Sequence, residues 1–212
     1  MKNWLDKMER RFGRYAIRNL TMYLLAGYAI GYLLSFTMPQ LLTYFTLEPA
    51  LILKGQVWRL LSWVIIPPND NIIFVIFMML LYYSLGNTLE SYWGAFRYNV
   101  YIFSGILFTV IGAFIVNGLI GGITGFGSLY STYYINMSIF LACASIMPDY
   151  QLLLYGIIPI KMKWMAIVYA VLTLYEFIVS GWAGRVAIFM SLLNFIIFFF
   201  STRNFKRYSP HE

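Results

Sequence analysis

Unbroken apolar runs alternate with short polar stretches along the whole chain. The runs fall at about Leu20–Phe36, Ile72–Leu85, Tyr98–Val116, Tyr133–Met147, Met165–Ser180 and Val186–Phe200. A helix in lipid satisfies its backbone groups internally and needs roughly 20 apolar residues to cross a hydrocarbon core about 30 Å thick. The pattern therefore predicts an all-α membrane protein with six transmembrane helices. Barrel strands alternate apolar and polar positions over about ten residues, whereas these runs are apolar throughout. Turn formers separate them: Pro39, Pro67-Pro68, Gly121-Gly122, Pro148 and Gly181. A long loop follows the first span, and only Ser180–Gly184 joins the last two, which predicts a tight antiparallel hairpin.

Composition agrees. Hydrophobic residues make up 61% of the chain and the mean hydropathy is +0.72, against about 45–50% apolar residues in soluble domains. The net charge of +7 would suit nucleic acid, but its placement points elsewhere. With six spans, twelve of the fifteen Lys and Arg residues share one side: Lys2 to Arg18, Arg97, Lys161, Lys163 and the tail. Lys54, Arg59 and Arg185 fall on the other. The positive-inside rule then puts both termini in the cytosol, in the plasma membrane should the source be bacterial. Residues 1–18 read as a cytosolic basic segment, 19–202 as the membrane domain and 203–212 as a cytosolic basic tail. No cleavable signal peptide is expected, because Lys2 to Arg18 lacks an apolar core. In "MKNWLDKMERRFGRY", Trp4, Met8, Phe12 and Tyr15 lie near one helical face with basic residues opposite, which suits an anionic membrane surface. A solvated basic stub that only sets topology fits equally. Cys143 is the sole cysteine, so disulfides and cysteine-based metal sites are excluded.

The polar residues between the greasy stretches carry a motif. The first loop holds "GQVWRLLSW", Gly55 to Trp63, and the turn after the second span holds "GNTLESYWGAFR", Gly86 to Arg97. Trp58-Arg59, then Gly86, Glu90, Gly94 and Arg97, in that order, resemble the rhomboid superfamily of intramembrane proteases and their inactive relatives, best over Leu20–Phe114. The resemblance implies a six-helix rhomboid-like bundle with a long first extracytosolic loop. Physically, Glu90 at the end of its helix suits hydrogen bonds from backbone amides or from Arg97, so the two read as a clasp. Gly86 and Gly94 permit close backbone approach, Tyr92 and Trp93 suit the headgroup region, and Arg59 reads as a tie for the first loop.

The chemistry of a rhomboid protease is missing. Such an enzyme needs a serine in Gly-x-Ser-Gly and a histidine in the sixth helix, because a hydroxyl is a poor nucleophile without a base in hydrogen-bond reach. The single histidine, His211, lies beyond the last basic anchor, and Ser128 in "GFGSLY" is followed by Leu129. The family's His-x-x-x-Asn of the second helix is absent as well. Lys161 and Lys163 are cytosolic on this topology and Lys54 is in a loop, so no lysine base replaces the histidine. No ligand cluster for a metal is present and no cofactor is expected. "GLIGGITGFGS" lacks the Gly-Lys-Ser/Thr ending of a phosphate loop.

Two features remain that suit binding. The fourth span, Tyr133–Met147, has fifteen residues, about 22 Å against a core near 30 Å, and its start is polar: Ser128, Ser131, Tyr133, Tyr134 and Asn136. In the resembling proteases such a notch admits a substrate helix; in inactive relatives it would bind a client helix without cutting it. Glu176 is the one acid inside a span, and an intramembrane acid marks a functional candidate. Arg185, beyond the tight turn, is its expected partner. Asn194 reads as an interhelical hydrogen-bonding residue and Phe195–Phe200 as lipid-facing. Gly27-x-x-x-Gly31 suits close packing within the chain, or a dimer face of a homo-oligomer. The chain therefore reads as a catalytically inactive rhomboid-like protein. Its expected partners are the bilayer and transmembrane segments of other proteins. An intramembrane serine protease and a small transporter or channel subunit are the rival readings.

Overall fold

The computed structural model describes residues 4–67, 72–122, 124–125, 127, 130, 132–154 and 158–202. A short helix α1 (Trp4–Phe12) and a 3-10 turn (Gly13–Tyr15) precede the first long helix, α2 (Leu20–Thr37). The loop after it is not featureless: α3 (Pro39–Phe45), α4 (Pro49–Ile52), α5 (Arg59–Ser62) and a 3-10 turn (Trp63–Ile65) fold it into a compact cap. Proline opens α3 and α4, where its missing N–H costs nothing. Then come α6 (Ile72–Trp93), α7 (Ala95–Ile120), α8 (Tyr133–Ile146), a two-stranded hairpin of β1 (Gln151–Leu154) and β2 (Ile158–Lys161), α9 (Met162–Val179) and α10 (Trp182–Thr202).

Among the described residues, five helices are long and apolar enough to cross a membrane: Leu20–Thr37, Ile73–Trp93, Ala95–Leu119, Met162–Val179 and Trp182–Phe200. The sixth predicted span, α8, has 14 residues and reaches only about 21 Å. It is nonetheless the centre of the bundle, packed by α6, α7, α9 and α10. Nine of its residues are buried, among them the small Ser138, Ala142, Cys143 and Ala144 that let neighbouring helices come close.

The polar stretch Gly86–Trp93, expected as part of a turn, is helical. The reversal is confined to Gly94, whose φ of 84° favours glycine, so α6 and α7 run on either side of a single residue. Glycine is also required in α6 at Gly86, where an added Cβ would lie within 2.9 Å of the Thr21 side-chain carbons. Thr21 itself hydrogen-bonds the Tyr98 hydroxyl at 2.7 Å, tying α2, α6 and α7 together.

The end of the bundle that carries α1 is called the near end here, and the end that carries the α3–α5 cap the far end. The hairpin extends α8 at the near end. Its Asp149 takes bonds from Lys163 at 2.8 Å and an ion pair from Lys161 at 3.7 Å. The Lys163 bond holds the exposed Asp149 carboxyl below its usual range. The phenylalanine run is not wholly lipid-facing: Phe198 is buried against Trp93 (4.7 Å) and Tyr101 (4.9 Å), while Phe200 faces outward. Trp93, expected in the headgroup region, thus packs on α7 and α10.

Candidate functional site

At the near end, Glu90 and Arg97 do not pair with each other. The Asn19 backbone N–H donates to Glu90 Oε1 at 2.8 Å, and Asn19 enters α2 in the left-handed region with φ 55°. Arg97, buried, instead donates to Asp6 at 2.8 Å and Glu9 at 2.9 Å, both on α1. Each residue clasps a different element, because seven residues along a chain that reverses at Gly94 point the two side chains apart. The α1 helix is therefore docked on the bundle: Leu5 is fully buried, whereas Met8, Phe12 and the basic residues Arg10, Arg11 and Arg14 face outward. Arg97→Gln is expected to release α1, with limited trypsin digestion at Arg10–Arg14 accelerating several-fold in proteoliposomes. Global stability should fall by less than about 1 kcal/mol, since both acids are partly exposed.

At the far end, Arg59 is 3% exposed and organises the cap. Its Nε donates to Gln56 Oε1 at 2.7 Å, and one terminal nitrogen donates to the Thr43 and Thr46 carbonyls at 2.8 and 3.0 Å. The neighbouring Trp58 is half exposed, its indole N–H donating to the Tyr44 carbonyl at 3.2 Å. The sequence reading passed over a further anchor, Glu48. This buried carboxyl accepts the N–H groups of Gly125 (3.0 Å) and Gly127 (2.8 Å), fastening the cap to the glycine-rich segment before α8. Burial and the nearby Glu48 carboxyl push the Tyr130 phenol up to about 12. The lone acid of the cap, immediately before Pro49, was the available signal.

The expected notch is assembled only in part. Ser128, Ser131 and His211 lie outside the described residues. Asn136 turns inward and is buried, taking the Tyr28 hydroxyl at 3.3 Å. Tyr133 is partly exposed at the α8–α9 face, and beside it the Tyr134 hydroxyl donates to Glu176 Oε1 on α9 at 3.0 Å. The predicted Glu176–Arg185 pair is absent. Arg185 donates to the Phe177 carbonyl (3.0 Å) and the Ile178 carbonyl (2.9 Å) and lies over the Trp182 ring. The last turn of a helix offers unpaired carbonyls and the negative end of its dipole, and across the tight turn these are nearer to Arg185 than Glu176 is. Asn194 joins helices: Ser104 donates to its Oδ1 at 2.7 Å, and its Nδ2 donates to the Tyr101 carbonyl at 3.1 Å. Gly27 and Gly31 face Ile65 and Pro67 of the same chain. Among the described residues no three His, Cys, Asp or Glu side chains gather as a metal site.

Long apolar helices packed around a buried short one define a multi-pass α-helical integral membrane protein in contact with the lipid bilayer. The chain belongs to the eukaryotic integral membrane protein family DUF1751, whose profile matches residues 18–211. No curated protein and no solved structure matches the chain.

Proposed function

We propose that this protein is a catalytically inactive, rhomboid-like receptor for transmembrane segments of other membrane proteins, serving their quality control, trafficking or assembly. The observation that carries the reading is the short central helix α8, with 14 residues, set against the loosely held α9. Only Met162 and Thr173 of α9 are buried, 11% of the helix, against 22–39% in the other spans. A helix too short for the bilayer thins or hydrates the lipid beside it. A neighbour with little buried surface gives up little when it moves aside. Together they favour lateral entry of a client helix beside α8.

On this reading α8 counts as a sixth crossing, and the basic near end, with both termini, lies in the cytosol. The inactive assignment rests on a serine without a glycine after it at Ser128 and a lone histidine at the tail.

The test places a photoreactive residue at Tyr133 and co-expresses single-pass reporters carrying a 20-residue Leu/Ala helix. Specific capture of the reporter, with no cleavage product, is expected. Absence of capture would remove the client reading. A product that disappears in Ser128→Ala would replace it with a protease.

A further inference from the structure

We infer that Glu176 is a recognition point for a basic residue in the transmembrane helix of a client protein, a refinement that rests on the client reading above. Glu176 lies three residues before the end of α9 and is exposed on the outside of the bundle. One carboxyl oxygen takes the Tyr134 hydroxyl at 3.0 Å. Among the described residues no basic group pairs with it, and the nearest candidate in sequence, Arg185, is committed to the α9 carbonyls. An acidic group in the hydrocarbon region is costly and is retained where it meets a partner. A single phenol leaves its second oxygen without a described partner.

The surroundings specify what that partner is. Tyr169 and Thr173 of α9 look toward α8, Thr173 bonding the Met137 sulfur at 3.1 Å. One step round the helix, Val168, Leu172, Tyr175 and Val179 form an exposed apolar stripe at intervals of three and four residues. Glu176 sits on the border between the two lines. A second helix laid along the stripe would bury apolar side chains over several turns while the carboxyl met it one turn from the far end. Charge complementarity selects the occupant: a transmembrane helix with Lys or Arg about one turn, roughly 5 Å, from its far end. Tyr134 holds one carboxyl oxygen and leaves the other for a client's basic group.

The experiment places a photoreactive residue at Tyr175 and uses the Leu/Ala reporters with no Lys, or with one Lys one turn from the far end, at the centre, or one turn from the near end. The far-end Lys reporter should be captured about 3- to 10-fold more than the purely apolar one. Glu176→Gln, close in shape, should abolish that excess and leave capture of the apolar reporter unchanged. Tyr134→Phe should preserve or raise it. Glu176→Lys should transfer the preference to a reporter with Asp at that depth. Protection of the buried Cys143 thiol certifies that each variant is folded. Equal capture of all reporters, or an excess that survives Glu176→Gln, would overturn the recognition point and leave the client reading standing. Capture at Tyr175 of lipid or a second copy of this chain alone, or of no reporter, would overturn the recognition point, and the client reading falls with it if the Tyr133 probe captures no reporter either.

Discussion

Gly31→Ala should destabilise the protein by about 2–3 kcal/mol, whereas Gly27→Ala, one turn earlier on the same helix, should be neutral or slightly stabilising. At Gly31 the new Cβ would run into the Ile65 carbonyl oxygen, 3.0 Å from its carbon and 3.1 Å from Pro67 Cδ. Backbone cannot rotate away as a side chain can, so α2 must separate from the cap. At Gly27 the nearest atoms, both of Ile65, are 3.9 and 4.0 Å away, which is ordinary contact. There the lower conformational freedom of alanine in the unfolded chain contributes a few tenths of a kcal/mol. The chain has one cysteine, Cys143, buried at 2% exposure, so thiol labelling during heating reads unfolding without an added probe. Gly31→Ala should expose the thiol roughly 5–10 °C earlier. A dimer face built on these glycines predicts instead that both alanines weaken association alike, and equal effects would count against the packing seen here.

Arg59→Leu should cost more, about 3–5 kcal/mol, and shift Cys143 exposure by roughly 10 °C or more. The guanidinium satisfies two backbone carbonyls and the Gln56 side chain from a buried position. Leucine leaves those acceptors without donors in the cap. Arg59→Lys should recover less than half of the loss. A lysine keeps the charge, but its single ammonium cannot reach Gln56 on one side and Thr43 and Thr46 on the other as the planar fork does. Recovery near wild type with lysine would show that charge, not the fork, holds the cap. Both variants should speed degradation in cells, because a loosened cap also frees Ile65 and Pro67 from α2.

The two results bear on how much of this molecule can be read before folding is considered. The positions of the long helices came from the order of apolar runs along the chain, because lipid demands such runs with internally bonded backbones. Arg59 as a tie for the first loop follows the same logic, since an arginine in an apolar loop must find acceptors nearby, and Thr43 and Thr46 are within the loop. Helix ends were less legible. Gly86–Trp93 looks polar enough to be a turn, yet it stays helical, because polar side chains at the membrane edge do not interrupt backbone hydrogen bonds, and the chain turns to a positive φ between α6 and α7 at Gly94. The 14-residue α8 was visible as a short apolar run, but its central position was not.

What the chain by itself determined is its solvent and its segments: the long apolar helices, their punctuation by Pro and Gly, and the crowding of basic residues into a few polar stretches. These follow from rules that act within about twenty residues. The partners of the ionisable groups that bond across the bundle were decided by tertiary structure alone. Asn19 meets Glu90 across 71 residues, Asp6 and Glu9 meet Arg97 across 91 and 88, and Gly125 and Gly127 meet Glu48 across 77 and 79. Glu176 took Tyr134 rather than the nearby Arg185 for the same reason. In a bundle, which polar groups come within 3 Å is set by how whole helices rotate and pack against one another, and no local pattern records that rotation.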